Sequence, residues 1–291
     1  MTRPSLAILF WYYRAPELCS GRLRELARLN PGVPIFGLYG GDPKSYPQFA
    51  GLGTLLDDDW VFEDVRDADW KWRHGDQMLS RWFEARGHAL AWDRLVIAQW
   101  DLLACAPMAR YFSGLQKNEV YLPGLRPIEP LRARWWWTRP GTPEGADYLA
   151  FVDHMARQYR YRGPFEACQF MTAGLPRAFM AAYARASSPE PGFLEYKLPA
   201  YARALGFSPV DLPHLHVAWP GETPSGRVVL TAAKRDIDDL DIAAELLRPE
   251  GARLFHPVTR TMPIGARAWT TFVARRLPRL ASRSLRSRMR T

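Results

Sequence analysis

Leu95-Val96-Ile97-Ala98-Gln99-Trp100-Asp101 is a short apolar run that stops on a single carboxylate, and Leu102, Leu103, Ala104 and Cys105 follow at once. Aliphatic and β-branched residues without alternation, preceded by polar helix-like sequence, read as a strand buried on both faces of an α/β sheet. Ligands of such sheets bind beyond the C-terminal ends of the strands, where neighbouring loops part. Asp101 is therefore the first candidate functional residue. Its alternative reading is an acid that caps the next helix or pairs with an arginine.

Outward from that run the elements alternate. Residues 6–13 predict a strand, residues 18–29 an amphipathic helix ended by Asn30-Pro31-Gly32, and residues 34–39 a second strand ended by Gly40-Gly41, which together make a βαβ start. Asp57-Asp58-Asp59 reads as a turn leading into a brief strand at residues 60–62. Residues 76–86 predict a helix that buries Met78, Leu79, Trp82 and Phe83. Beyond Pro107 the strands and helices shorten, and Gln169-Phe170-Met171-Thr172 reads as a strand before a helix over residues 177–185. There is no internal repeat, P-loop or GxGxxG. The expectation is an α/β chain with a Rossmann-type mixed sheet flanked by helices. It divides into a nucleotide-binding half, residues 1–107, and a second half, residues 108–266.

Composition bounds the function. A chain of 291 residues that is 47% hydrophobic and 13% aromatic can bury a large core and is not disordered. Cys19, Cys105 and Cys168 are widely spaced and odd in number, so neither a disulfide framework nor a zinc site is expected, and a reducing cytosol fits best. No apolar stretch approaches the roughly 20 residues that cross a bilayer.

The net charge of +9 is unevenly placed: no acid follows Glu250, whereas ten arginines do, at 253, 260, 267, 275, 276, 279, 283, 286, 288 and 290. Without them the body is close to neutral, so nucleic acid is not an expected partner. Residues 267–291 interleave those arginines with Trp269, Phe272, Val273, Leu277, Leu280, Leu285 and Met289, and Pro278 interrupts them. A basic helical tail on an anionic membrane surface is one reading, and a solvated tail is the other.

Four landmarks in order resemble the GT-A-type glycosyltransferases of the nucleotide-diphosphosugar transferase superfamily. They are Phe10-Trp11-Tyr12-Tyr13-Arg14 at the end of the opening strand, Gln99-Trp100-Asp101, Glu195 in Glu-Tyr-Lys-Leu-Pro-Ala-Tyr, and His256 in Phe-His-Pro-Val. The resemblance spans most of residues 5–260 and implies a GT-A-like fold. It also implies transfer of a sugar from a nucleotide-diphosphate sugar to a saccharide or lipid-linked acceptor, in the cytoplasm or on the inner face of the membrane. Trp11 and Tyr12 would stack on the base and Arg14 would meet phosphate; either aromatic could instead end a core strand. Asp76 and Arg81 would touch donor sugar and diphosphate, or form an exposed helical pair.

The sequence departs from the family pattern at its acidic motif, where Gln99-Trp100-Asp101 stands for Asp-X-Asp. Either His256 joins Asp101 in holding Mn²⁺ or Mg²⁺, or Lys234, Arg235 and Arg260 replace the metal. Glu195 is the expected base of an inverting transfer, or else a first-turn glutamate favoured by the helix dipole. Trp136 of Trp135-Trp136-Trp137 and Gln169 are acceptor-side candidates, Trp136 because it faces opposite to its neighbours if the run is extended. The incomplete acidic motif keeps a second class open, a non-catalytic GT-A-like module that binds nucleotide or glycan and is recruited through its tail.

Overall fold

The computed structural model describes residues 5–186, 192–212, 215, 217–219, 229–232, 236–280 and 282. Strand β1 (Leu6–Tyr12) is apolar on both faces and runs through the centre. Helix α1 (Pro16–Leu29) opens with Pro16 in its first turn, where a missing N–H costs nothing, and buries Leu18, Leu23 and Leu26. It crosses over to β2 (Ile35–Tyr39), and a 3₁₀ stretch over Pro43–Leu55 leads to β3 (Asp58–Val61). Helices α2 (Ala68–Arg73) and α3 (Gly75–Trp82) return the chain to β4 (Arg94–Gln99).

Short elements follow: β5 (Leu103–Ala104), α4 (Ala109–Phe112), β6 (Glu119–Tyr121) and β7 (Arg126–Pro127). Helix α5 (Pro143–Tyr159) precedes β8 (Glu166–Ala167), β9 (Thr172–Pro176) and α6 (Arg177–Ala184). Then come α7 (Leu194–Ala204), β10 (Ser208–Val210), β11 (Val217–Ala218), β12 (Leu230–Thr231), α8 (Asp239–Leu246), β13 (Leu254–Phe255) and α9 (Ala266–Ala274).

The main sheet has seven strands in the order β10-β6-β9-β4-β1-β2-β3. It is parallel except for β9, which runs against both of its neighbours. Helices cover both faces, which is why β1 carries no polar side. Ala7, Leu9 and Trp11 enter one core, with α3, α5, α6 and α7, while Ile8, Phe10 and Tyr12 enter the other, with α1, α8 and Phe272 of α9. Successive side chains of a strand point to opposite faces, so both layers are built from one run. The observed fold is the expected mixed α/β sheet flanked by helices.

Several expectations are corrected. The strand ends at Gln99 and Asp101 lies in the turn beyond it. Asp59 belongs to β3 instead of a turn, and its carboxylate accepts from the Tyr12 hydroxyl (2.8 Å) and the Tyr46 hydroxyl (2.8 Å). Gln169, Phe170 and Met171 precede β9 instead of forming it. Among the described residues no helix is long and apolar enough to cross a membrane. Part of the basic tail packs on the body: Trp269 Nε1 donates to Glu25 (3.0 Å), Phe272 is buried, and Arg276 pairs with Asp239. Leu285, Met289 and the last four arginines lie outside the described residues.

One buried ion pair fastens the helices of the first core. Lys197 Nζ and Asp76 Oδ2 are 2.8 Å apart with neither side chain exposed, and the Tyr183 hydroxyl donates to the same oxygen (2.6 Å), so α3, α6 and α7 meet at one carboxylate. Removing one partner strands a charge in the core, which costs about 3–5 kcal/mol. Lys197→Met is expected to lower the urea midpoint by that equivalent, and a loss below about 1 kcal/mol would contradict this account of the pair.

Candidate active site

From β1 the chain moves out to β2 and β3 on one side, then returns to β4 on the other side of β1. Loops leaving β1 and β4 therefore diverge, and a crevice opens at their carboxyl ends. A cleft of about 1360 Å³ lies there, lined by Tyr13 and Arg14 after β1, Gly40 to Lys44 after β2, and Gln99 and Asp101 after β4.

Backbone bonds set Asp101 in this cleft. The Trp100 N–H donates to the Trp11 carbonyl (2.9 Å) and the Leu102 N–H to the Gln99 carbonyl (2.9 Å), which closes the turn. Leu103 and Ala104 then pair antiparallel with Phe255 and Leu254, and the Val258 N–H donates to the Asp101 carbonyl (2.9 Å). That ladder delivers His256 to Asp101, with Nε2 and Oδ1 3.2 Å apart and each residue 8% exposed.

His256 Nδ1 lies 2.8 Å from the Thr231 carbonyl, an oxygen that only accepts, so Nδ1 carries the proton. In the neutral ring the lone pair of Nε2 then faces a buried carboxylate oxygen that, among the described residues, has no hydrogen-bond partner. A protonated nitrogen held by a backbone carbonyl is the usual support of a metal-ligating imidazole. Adjacent ligands of a cation bound at about 2.1 Å sit roughly 3 Å apart. The two side chains therefore fit a divalent cation as two of its six ligands, and among the described residues no cluster of three or more His, Cys, Asp or Glu offers a fuller set.

Glu195 enters the same cleft from the first turn of α7. Its Oε1 accepts from the Phe170 N–H (2.7 Å), and the Phe170 carbonyl accepts from Gln99 Nε2 (2.6 Å). One residue thus joins the end of β4 to the carboxylate of α7. Gln99, which stands where the resemblance expects an acid, is a tie between these two walls. Burial drives the Glu195 pKa up to about 8 against the smaller opposing effect of the Phe170 N–H. A carboxyl titrating near neutrality is suited to proton transfer.

Trp11, Arg14, Asp101, Trp136, Gln169, Glu195 and His256 all line the cleft. Trp11 offers little surface: it is 8% exposed and wedged against Gly40 and Gly75, where an added Cβ would lie 2.7 and 2.4 Å from the indole. The Arg14 guanidinium is 4.5 Å from the centroid of Trp100 and 5.3 Å from that of Tyr13. Gln169 is buried and its amide is engaged, donating to the Ala218 carbonyl (3.0 Å) and accepting from the Ala232 N–H (2.8 Å), so it braces the floor. Trp136 is 48% exposed because Trp136–Thr138 form a 3₁₀ turn, not because an extended strand alternates.

Four expected donor contacts do not reach the cleft. Tyr12 points into the opposite core toward Asp59, since β1 alternates and Trp11 takes the cleft side. Asp76 is the buried partner of Lys197. Arg81 pairs with Asp64 (3.3 Å). Arg260 is held by Asp236 (2.9 Å) and by Asp239. Lys234 and Arg235 lie outside the described residues.

The cleft also takes residues that sequence reasoning passed over, Tyr13, Lys44, Arg66, Lys71, Trp72 and Arg134. Lys71 is 6% exposed, donates to the Gly41 carbonyl (2.7 Å), and has its pKa lowered by burial. The alternating Trp70-Lys71-Trp72-Arg73 was the available signal, a cationic and aromatic run that forms most of α2.

No protein-family model matches the chain, and no curated protein matches it. Among solved structures it is similar to the apo form of WbbM, a bifunctional glycosyltransferase, at 10% identity and a TM-score of 0.42, covering 93% of this chain and 49% of that one. The chain thus spans about half the length of that structure.

The raised Glu195 pKa has a consequence for stability. The folded chain retains a proton that the unfolded chain releases above the usual value of 4.5, so this contribution is complete below 4.5 and is lost as pH rises toward about 8. Glu195→Gln is expected to flatten the decline in Tm between pH 5 and pH 9 and to be the more stable protein at pH 9. Parallel curves for the two proteins would contradict the shift.

Proposed function

We propose that the chain is a glycosyltransferase that moves a sugar from a nucleotide-diphosphate sugar to a saccharide or lipid-linked acceptor, with inversion. The observation that carries the reading is the meeting of the Asp101–His256 pair and Glu195 in one cleft at the carboxyl end of a mixed α/β sheet. A diphosphate leaving group needs positive charge, and an acceptor hydroxyl needs a base. The cleft holds candidates for both.

Asp101 and His256 would hold Mn²⁺ or Mg²⁺, which when bound offsets the charge that gathers on a departing diphosphate. Arg14 and Lys71 bring further positive charge to the same cleft and would serve donor binding with or without the cation. Glu195 takes the proton of the acceptor hydroxyl as that oxygen bonds to the anomeric carbon, while the bond from carbon to the diphosphate oxygen breaks on the opposite face. The proton rests on Glu195 and the electron pair leaves with the nucleoside diphosphate. Because the base must be ionised, turnover is expected to rise with pH toward about 8.

Thermal stability with UDP, GDP, CDP and dTDP, each with Mn²⁺ or with chelator, tests the donor half. A ligand at about 100 times its Kd adds roughly 2.7 kcal/mol, a rise of several degrees in Tm. One nucleotide is expected to give that rise, the metal-dependent part of it lost in Asp101→Asn. Glu195→Gln is expected to keep the rise and to lower turnover by about 100-fold or more. A rise that survives unchanged in Asp101→Asn would remove the metal role, and no rise with any nucleotide would favour the non-catalytic module.

We also propose that the arginines beyond α9 hold the enzyme at an anionic membrane surface on its cytoplasmic side. Because Phe272 is part of the core, the clean test removes residues 281–291 only. Vesicles rich in phosphatidylglycerol are expected to bind the truncated chain several-fold more weakly, while Tm stays the same. Equal binding by both chains would end the membrane proposal.

A further inference from the structure

Trp72 lines the cleft and is 56% exposed, yet it is fixed in place. Its ring makes edge-on contacts with Trp137 (5.1 Å between centroids, 66°) and Phe193 (5.4 Å, 62°). Those two rings are stacked on each other at 4.1 Å and 17°, and the Arg73 guanidinium sits 5.1 Å from the Trp137 centroid. Trp137 is half-buried by these neighbours and still borders the cleft, and Trp72 is the more exposed indole of the group. A large aromatic surface that is already immobilised loses little rotamer freedom when a ligand lands on it.

Position adds a second observation. Phe193, which supports Trp72, is the residue just before α7, and Glu195 lies two residues further on. The exposed indole and the candidate base therefore share one support. Polar groups adjoin the two rings that support the indole. A small cavity of about 40 Å³ is bordered by Trp137, Phe193, Arg73, Glu144 and Asp147. The Glu144 side chain is only 10% exposed, and among the described residues its Oε2 has no hydrogen-bond partner. That volume accommodates a water or one hydroxyl-bearing substituent.

We propose that Trp72 is the stacking platform of an acceptor subsite for a sugar ring, held beside Glu195 by Phe193, with the Glu144 cavity receiving a ring substituent. A pyranose presents an apolar C–H face and a rim of hydroxyls, which matches an exposed indole whose supporting rings, Trp137 and Phe193, border a buried carboxylate; a hydrocarbon chain matches only the indole. The assignment rests on the glycosyl-transfer reading of the cleft and commits the acceptor to a saccharide recognised through its ring.

Saturation-transfer difference NMR on the full chain tests it, with the methyl glycosides of glucose, galactose, mannose and N-acetylglucosamine and their β-linked disaccharides as probes. At least one probe is expected to receive saturation, at least 5-fold less in Trp72→Ala and close to the original level in Trp72→Phe. The nucleotide-induced Tm shift is expected to persist in both variants, which shows that the cleft is intact. No transfer to any probe, or equal transfer in Trp72→Ala, would overturn the subsite. Trp72-dependent binding to phosphatidylglycerol vesicles without glycoside binding would overturn it in favour of a lipid contact. Glycoside binding through Trp72 in a chain that no nucleotide stabilises would leave the subsite standing and fell the transfer reading.

Discussion

A carboxylate oxygen and an imidazole nitrogen lie 3.2 Å apart in this chain, both mostly buried, with the other ring nitrogen committed to a backbone carbonyl. Such a contact is unfavourable unless positive charge stands with it, because burial removes the water that would otherwise screen two electron-rich atoms. The surrounding architecture maintains it. The antiparallel pairing of β5 with β13 sets the register, the Val258 N–H anchors the Asp101 carbonyl, and the turn after β4 is closed on β1. Three segments distant in sequence thus hold this carboxylate oxygen and imidazole nitrogen together in the lining of the cleft, where a proton on the ring or a bound cation can stand with them.

The second constraint is the economy of Phe170. Its N–H and carbonyl are both used, one for Glu195 and one for Gln99, so the floor of the cleft cannot shift without moving the candidate base. Gln169 adds bonds to the segments at Ala218 and Ala232. Loops that carry ligand-binding groups are commonly mobile; here the polar side chains of the floor tie several of them to the sheet. This is the preorganisation that proton transfer between closely placed groups demands.

What the sequence made legible was what burial dictates locally. The runs around β1 and β4 contain no polar face, so their place in the sheet could be read, and the acid that interrupts the second run marked the cleft. Glu195 was visible as a glutamate in the first turn of an expected helix. Less legible was anything decided by parity or by a distant partner. Trp11 and Tyr12 differ only in which face of β1 they take, and Tyr13, beyond the strand, became the exposed aromatic. Asp76 and Arg260 carry suitable charges, but Lys197 and the Asp236–Asp239 pair, remote in sequence, had already claimed them. Trp72 escaped notice because its exposure depends on how Trp137 and Phe193 stack.

Anomalous diffraction at the manganese edge from crystals of the chain grown with Mn²⁺ and the stabilising nucleoside diphosphate tests the central claim most directly. The account predicts one strong peak bonded to Asp101 Oδ1 and His256 Nε2, with the nucleotide's phosphates beside it at the carboxyl ends of β1 and β4. A nucleotide bound elsewhere, or phosphates in the cleft with no peak at that pair, would contradict it.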